Sequence, residues 1–213
     1  MVKFNRTIED RLREEYFDLL PEIIRVADQL ETEVRYHLLP ISNQLDMFER
    51  LIVKSRIKAC ERSVAALQRR QEGKYFDLDQ PELYRLTSLN DLAGIRVLAF
   101  PSNRLVEVDE VLRALYPTWK SDHILRDGEV LAQKYFGYCT GSGKIKGEYQ
   151  IVSMLTGLFW EVEPSAIYKP APRLRGLVKL AGMQAREAAV IKALNDFNQE
   201  FEDAVRLSLE DPL

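Results

Sequence analysis

The sequence feature that most restricts the fold is an almost unbroken apolar run from Leu92 to Phe100, bounded by polar turns. A run of this length suits one buried β-strand. A second segment, Glu148 to Val152, alternates between polar and apolar residues and predicts another strand. Between them, Val106 to Leu115 carries apolar residues at helical spacing. The middle of the chain is therefore predicted to contain a β-sheet with a helix between its strands.

Both ends of the chain are predicted to be helical. Apolar residues recur at helical spacing from Ile8 to about Leu39, and Pro21 is expected to start a second helix or to kink the first. Ile41 to Arg50 is expected to resume as another helix. Met183 to Leu207 is predicted to be a helix with a stripe of core residues, namely Val190, Leu194, Phe197, Phe201 and Val205.

Together these elements predict an α/β (α+β) fold, in which one mixed β-sheet is flanked by helices from both ends. We expect an N-terminal helical segment at residues 1–50 and a central domain at residues 51–170. The remainder, residues 171–213, is expected to form a C-terminal helix that packs on the same domain.

Composition restricts the class of protein further. The net charge of −3 over 213 residues argues against a general nucleic-acid coat, although it permits a local basic site. Cys60 and Cys139 have no paired spacing, which favours a reducing cytoplasm. The first residues, Met1 to Glu15, are charged, so we expect no signal peptide. No apolar run reaches the length of about 18 residues that a membrane span requires, so no membrane partner is expected.

Basic residues are concentrated between residues 54 and 74. If the segment from Lys54 to Lys58 is a strand, then Lys54, Arg56 and Lys58 lie on one face. If a helix follows from about Cys60, Arg69 lies near the same face as Arg62. Such a concentration favours a phosphate-binding site, and a solvated basic surface is an equally good interpretation.

Two carboxylates are candidates for a magnesium site. Asp91 precedes the apolar strand, and Glu148 lies on the second strand with Gln150 on the same face. Arg96, inside the apolar run, requires an ion pair or a bound anion, and Gly94 permits close approach of a ligand. Asp91 and Glu148 suit Mg²⁺ bound to a triphosphate. The structural alternatives are an Asp91–Arg96 ion pair and an exposed polar strand face.

Lys134 and Tyr138 are candidates for acceptor binding, Lys134 through a phosphate and Tyr138 by stacking on a base. Packing in the core explains the tyrosine equally well. The loop after Tyr138 lacks the spacing of a phosphate-binding P-loop. His37 and His123 have no partner at the spacing of a hydrolase triad, and no His/Cys cluster predicts zinc.

Five stretches occur in an order that resembles the synthetase domain of the RelA/SpoT family. The resemblance covers about residues 50 to 170. It implies a mixed sheet related to nucleotidyltransferases, and transfer of the β,γ-pyrophosphate of ATP to the 3′-hydroxyl of GTP or GDP, with Mg²⁺, which makes alarmones of the stringent response. The stretches are Ser55-Arg-Ile-Lys58, Asp91-Leu-Ala-Gly-Ile-Arg96, Gly137-Tyr138, Glu148-Tyr-Gln-Ile151, and Trp160-Glu-Val-Glu163 followed by Tyr168-Lys169.

The resemblance also implies roles by position. Arg56, Lys58 and Arg69 hold the phosphates of ATP, with Arg96 close to them. Asp91 binds Mg²⁺, and Glu148 completes the metal site or acts as the base toward the hydroxyl. Tyr138 stacks on the acceptor base, and Gln150 helps to place the acceptor.

Four positions depart from the family pattern, and they leave the acceptor open. Ala66 stands where a lysine is usual, Arg62 where a serine is usual, and Ser142 and Pro164 where histidines are usual. Because the hydrolase metal motif is missing, we expect a synthetase without a degrading domain.

Two other functions remain open. One is a toxic small synthetase that pyrophosphorylates the 3′ end of tRNA, with RNA phosphates bound by the basic stretch from Lys169 to Arg186, although a solubilising surface explains this stretch better. The other is a catalytically degenerate nucleotide-binding regulator, against which the retained Asp91 and Glu148 argue. A scaffold protein is favoured only if the phosphate-binding face is occluded. Homo-oligomerisation and an antitoxin partner are left undetermined.

Overall fold

The computed structural model describes residues 7–71, 75–126, 129–163 and 182–210. In this part of the chain six strands form one mixed sheet, in the order β1-β2-β6-β5-β3, with β4 pairing to β5. β2 and β6 are parallel, and the other pairs are antiparallel. The predicted mixed sheet is therefore confirmed. The strands are β1 (Arg50–Ile57), β2 (Ala93–Phe100), β3 (Lys120–Ser121), β4 (Ile124–Arg126), β5 (Glu129–Tyr138) and β6 (Lys146–Ser153).

Helices flank this sheet, as predicted. Two short 3-10 helices, Pro81–Leu83 and Leu86–Ser88, precede β2. None of the helices in the described part of the chain combines the length and the hydropathy that a membrane crossing requires. The α-helices are α1 (Ile8–His37), α2 (Leu39–Ser42), α3 (Cys60–Arg69), α4 (Arg104–Leu115), α5 (Met154–Glu163) and α6 (Met183–Glu210).

The N-terminal block differs from its prediction at two places. α1 continues through Pro21, so no second helix starts there. Tyr16 and Ile23 are buried on either side of the proline, and this continuous packing outweighs the one backbone hydrogen bond that proline removes. The predicted helix from Ile41 to Arg50 is also wrong. α2 ends at Ser42, and a turn closed by the Asp46 N–H donating to Glu49 Oε2 leads into β1.

The two faces of the sheet are covered unequally. One face carries Ile95, Val97, Tyr149 and Ile151, all almost fully buried, and packs against α1 and α4. On the other face, α5 covers only the end that contains Leu98 and Val152. The remainder of this second face carries polar and charged side chains.

α6 turns only part of the predicted apolar stripe toward the core. Val190 and Phe197 are exposed, whereas Ile191 and Asn198 are buried. Phe201 does pack inward, with its ring centroid 5.0 Å from that of Phe100. The Asn198 amide oxygen accepts the backbone N–H of Ser102 at 3.1 Å. Leu194, Phe201 and Val205 of the predicted stripe are half-buried, so the inward face keeps these three and exchanges Val190 and Phe197 for their neighbours Ile191 and Asn198.

We expect Glu49→Gln to lower the free energy of unfolding by about 1.5–3 kcal/mol, the value of a charge-assisted hydrogen bond. Glu49 is buried and receives two 2.8 Å hydrogen bonds from the Arg104 guanidinium. Those bonds hold the pKa of Glu49 below its usual value. The pair therefore stabilises the protein fully above the ordinary pKa of glutamate, about 4.3, and progressively less as pH falls through the lower folded value.

Urea unfolding at pH 7 and at pH 3.5 tests this prediction. Glu107→Gln is the matched control, because Glu107 also pairs with Arg104 but from a more exposed position, where such pairs contribute about 0–1 kcal/mol. Equal stability losses in the two variants at pH 7 would contradict the prediction.

Candidate active site

Strand register assembles the candidate residues into two rows on the open face of the sheet. Directly paired residues project to the same side, so each row is one set of neighbouring side chains. The first row is Arg56, Gly94, Glu148 and Phe136, and the second is Lys54, Arg96, Gln150 and Lys134, each in the order β1, β2, β6, β5.

Glu148 lies at the centre of this face and is only 2 % exposed. One carboxylate oxygen accepts hydrogen bonds from Arg56 Nη2 at 3.0 Å and from Gln150 Nε2 at 2.8 Å. The other lies 3.8 Å from Lys134 Nζ. Burial raises the pKa of Glu148 above its usual value, although the charge of Arg56 acts in the opposite direction. Glu148 is therefore a more basic carboxylate than an exposed glutamate.

Asp91 lies just before β2, beside Arg56 of β1 and Lys58, which directly follows β1. Its carboxylate forms an ion pair with Lys58 and lies 4.0 Å from Arg56 Nη2. Burial acts to raise the pKa of Asp91, but Lys58, Arg56 and Arg70 together lower it below its usual value. The pKa of Lys58 is also lowered, mainly by burial. Because its own pKa is lowered, the Asp91 carboxylate is ionised at neutral pH.

Gly94 permits the two carboxylates to share Arg56. β1 and β6 lie on opposite sides of β2, about 10 Å apart at the usual strand spacing, so the Arg56 side chain must cross β2. It crosses at Gly94, its partner in the register. A Cβ at Gly94 would lie 3.1 Å from the Glu148 carbonyl oxygen and 3.6 Å from Arg56 Nε. Any larger residue would therefore crowd the contact between Arg56 and Glu148.

Arg96 does not pair with Asp91, so the structural alternative of an internal ion pair between them is not realised. Its Nε donates to Gln150 Oε1 at 3.2 Å, and its Nη1 donates to Glu161 Oε1 at the same distance. Its guanidinium carbon lies 5.8 Å from the centroid of a Trp160 ring. Glu161 and Trp160 belong to α5, and sequence reasoning included them in a matching motif without giving them a role.

Lys134 has a partner that sequence reasoning missed. Asp122 lies 2.6 Å from Lys134 Nζ, and its backbone N–H donates to the Lys134 carbonyl at 2.8 Å. Lys134 therefore stands between Asp122 and Glu148. No pattern in the sequence indicated this contact, because it depends on the pairing of β5 with the segment before β4.

Tyr138 is not a core residue, since 52 % of it is exposed. It pairs with Lys146, two positions before Glu148, and therefore lies on the same face of the sheet. The Lys146 ammonium lies 5.7 Å from the Tyr138 ring centroid and 3.0 Å from the Asn90 side-chain oxygen. An exposed ring on the same sheet face as Glu148 is suited to stacking on a base.

The structure does not place several other positions on this face of the sheet, namely one predicted ATP ligand and the positions that depart from the family pattern. Arg69 is exposed at the end of α3, and no hydrogen bond or ion pair in the described structure links it to the two rows. Its neighbour Arg70 does lower the pKa of Asp91. Ala66 is buried in the core. The buried Ser142 hydroxyl donates to the Ile145 carbonyl at 2.7 Å, a contact within the β5–β6 turn. Pro164 lies outside the described residues.

Asp91 and Glu148 fit a magnesium site that a substrate completes. Among the described residues there is no group of three or more His, Cys, Asp or Glu side chains that alone holds a metal. Mg²⁺ commonly uses one or two carboxylates and takes its other oxygens from phosphates and water. Asp91 Oδ1 is buried and has no hydrogen-bond partner in the described structure, so it is available as a ligand.

A mixed sheet with one helix-covered face and one open, charged face is also the fold of known enzymes. No protein-family model and no curated protein matches this chain. Solved structures do match it. The small alarmone synthetase 1 from Bacillus subtilis gives a TM-score of 0.65 at 15 % identity, over 93 % of this chain and 100 % of that one.

Two further solved structures also match this chain. The same Bacillus subtilis protein bound to its product pppGpp gives a TM-score of 0.63 at 12 % identity, with the same coverage of both chains. A GTP pyrophosphokinase family protein from Streptococcus pneumoniae gives 0.56 at 20 % identity, over 93 % of this chain and 98 % of that one. The chain thus has the small alarmone synthetase fold, as the sequence resemblance implied.

Proposed function

We propose that this protein is a pyrophosphokinase that transfers the β,γ-pyrophosphate of ATP to the 3′-hydroxyl of a purine nucleotide, GTP or GDP, using Mg²⁺. The observation that carries the proposal is the gathering of Asp91 and Glu148 with four cations on one open sheet face, the cations being Arg56, Lys58, Arg96 and Lys134. The fold supports it, because a protein of this fold has been solved with AMPCPP and with its product pppGpp.

The chemistry requires one proton acceptor and several positive charges. In the proposed reaction the 3′-oxygen bonds to the β-phosphorus of ATP, the bond between that phosphorus and the α–β bridging oxygen breaks, and AMP leaves. Glu148 accepts the hydroxyl proton, and its raised pKa makes it a better base near neutral pH. Arg56, Lys58 and Arg96 stabilise the negative charge on the transferred phosphates.

Mg²⁺ held by Asp91, and by Glu148 if this residue completes the metal site instead of acting as the base, would supply further charge neutralisation and orient the triphosphate. Arg56 and Lys58 now pair with those same carboxylates. Arg56 lies near the end of β1 and Lys58 directly follows the strand, so their side chains can exchange a carboxylate partner for a phosphate. The ion pairs thus hold the cations in place before substrate binds.

An acceptor panel tests the proposed function. The purified chain is incubated with Mg²⁺, ATP labelled in separate runs at the α- or the γ-phosphate, and GTP, GDP, ATP or tRNA as acceptor, and the products are separated by thin-layer chromatography. We expect AMP and a 3′-pyrophosphorylated guanine nucleotide in equal amounts. Transfer to tRNA alone would support the tRNA alternative, whose basic stretch lies outside the described residues except for Gly182 to Arg186. ATP binding without transfer to any acceptor would support the regulator.

For the donor site, we expect Arg56→Ala to weaken ATP binding by about 1.5–3 kcal/mol, the value of a hydrogen bond to a charged group. Arg69→Ala is predicted from the resemblance to do the same, although Arg69 is exposed at the end of α3. Calorimetry with ATP measures both, and Arg113→Ala, on the covered side of the sheet, is the control. Unchanged ATP affinity in both variants would show that the basic stretch between residues 54 and 74 is a solvated surface and not a phosphate-binding site.

For the acceptor site, we expect Tyr138→Ala to lower acceptor use by about ten- to a hundred-fold, because stacking of a base on an aromatic ring contributes roughly 1–3 kcal/mol. ATP affinity should remain unchanged, since Tyr138 contacts none of the proposed ATP ligands in the described structure. The measurement is kcat/KM for GDP together with the Kd for ATP. If Tyr138→Ala leaves transfer to every acceptor unchanged, the acceptor-binding site lies elsewhere.

A further inference from the structure

β1 forms one edge of the sheet, and its outer side is open along the strand. Among the described residues β1 (Arg50–Ile57) pairs with β2 alone. At the opposite edge, β3 has two residues and β4 has three. A short edge strand offers few groups to another chain, whereas a long one presents a row of unpaired backbone N–H and C=O groups. In the described structure β1, with eight residues, is therefore the edge that is best suited to accept a further strand.

The register of β1 on β2 shows which backbone groups face outward. The Lys58 N–H donates to the Leu92 carbonyl at 2.9 Å, so this directly opposed pair is hydrogen-bonded. Hydrogen-bonded and non-hydrogen-bonded pairs alternate along an antiparallel ladder, so the amides of Arg56, Lys54 and Ile52 also face β2. The amides between them face away from the sheet, and they belong to Leu51, Val53, Ser55 and Ile57.

Arg35 indicates the same outward direction independently. Its Nη2 donates to the Val53 carbonyl at 2.7 Å, which requires that carbonyl to point away from β2. Arg35 lies on α1, and its side chain is 53 % exposed. No hydrogen bond in the described structure reaches the outward backbone groups of Leu51, Ser55 or Ile57. A strand that is added at this edge therefore has to displace one exposed side chain only.

The edge is also strongly basic. From Arg50 to Lys58 the chain carries four cations and no acidic residue. The side chains of Lys54 and Arg56 are both 41 % exposed. Lys54 has only a long ion pair, 3.8 Å from Glu161. Opposite charges on neighbouring strands stabilise a sheet, so an acidic strand complements this edge.

Two other occupants of the edge fit this charge poorly. An antiparallel second copy of β1 would place the cations of one strand beside those of the other, and like charges opposite each other are destabilising. Residues 164–181 of the chain itself carry no acidic residue and four further cations, namely Lys169, Arg173, Arg175 and Lys179.

We propose that the outer edge of β1 binds an extended acidic segment of a partner protein, which adds to the sheet as a further strand. Its backbone groups pair with the outward groups of β1 and displace Arg35 from Val53. Its acidic side chains lie beside Lys54 and Arg56, so the main chain supplies affinity and the cations select an acidic partner. Because Arg56 also contacts Glu148, the partner lies beside the candidate active site. The inference does not rest on the proposed activity.

Amide hydrogen exchange followed by NMR tests this inference on the full chain. The probe is a short peptide with blocked ends, in which glutamate alternates with valine. With the peptide at about ten times its Kd, exchange protection should rise about tenfold at the outward amides of Ser55 and Ile57. Protection of Lys54 and Arg56, whose amides already face β2, should remain unchanged.

Two controls separate strand addition from attraction between charges alone. The same peptide methylated at every backbone nitrogen keeps its charges and loses its hydrogen-bond donors, so it should bind about tenfold more weakly, or worse. Lys54→Glu should weaken binding of the unmethylated peptide by about five- to tenfold, since an attraction becomes a repulsion. Arg113→Glu makes the same charge reversal at an exposed position on α4 and should retain wild-type affinity.

Three outcomes overturn the inference. Protection of the outward amides in dilute protein without peptide would mean that the chain covers its own edge. Protection that rises with protein concentration, together with a dimer in analytical ultracentrifugation, would assign the edge to a second copy. The third is the absence of added protection at millimolar peptide, or equal binding by the methylated peptide.

Discussion

Glu148→Gln is expected to abolish pyrophosphate transfer while leaving the fold intact. The substitution removes the charge and the proton acceptor but retains an oxygen for Arg56 and Gln150. General base catalysis contributes roughly 10²- to 10⁴-fold, so loss of the base alone accounts for the expected effect. Because Arg56 is 41 % exposed at its side chain, it is not left as a buried unpaired charge.

The thin-layer transfer assay, with thermal unfolding followed by circular dichroism, measures both parts of this prediction. Glu110→Gln makes the same change at an exposed position on α4, against the other face of the sheet, and should retain full transfer. A folded Glu148→Gln protein with near-wild-type transfer would show that Glu148 has no catalytic role.

Asp91→Asn is expected to lower transfer by more than the roughly 10- to 100-fold that loss of an outer partner of a metal site costs. The substitution removes the charge of the only proposed metal ligand that has a free buried oxygen. It should also weaken the fold, because Lys58, with its side chain 17 % exposed, loses its ion-pair partner. Two readouts are therefore needed.

The first readout is Mn²⁺ binding in the presence of ATP, followed by electron paramagnetic resonance, which should weaken in Asp91→Asn. The second is stability in the double variant Asp91→Asn with Lys58→Met, which removes the unpaired ammonium and should regain stability without regaining transfer. If Asp91→Asn binds Mn²⁺ as tightly as the wild-type protein, Asp91 is a purely structural ion-pair partner of Lys58.

Most of the local structure follows from short-range patterns in the sequence. The apolar run of β2, the alternation of β6 and the helical spacing of α4 each depend on neighbours within a few residues, and each was predicted in place. The same two-residue alternation places Glu148 and Gln150 on one strand face. The predictions failed where side chains competed for the backbone, as in the Asp46–Glu49 turn that replaces the expected helix.

The exact face that α6 turns toward the core could not be predicted from the local sequence pattern. Val190 and Phe197 share the apolar stripe of Phe201, yet they are exposed and Asn198 is buried. Hydrophobic spacing defines an apolar side to within about one residue, and the contacts of Asn198 with Ser102 and Glu202 decide the final angle. The contact with Ser102 joins residues nearly a hundred positions apart, which no window of sequence contains.

By itself, the sequence determined the two strands and helices around the site, the residue types available for phosphate and metal, and which of them share a strand face. Only the tertiary structure decided their partners. Pairing of β2 with both β1 and β6 lets Arg56 cross Gly94 to Glu148, and α5 supplies Glu161 to Arg96. Strand pairing and helix docking are long-range choices, made by the burial of whole faces and not by local periodicity.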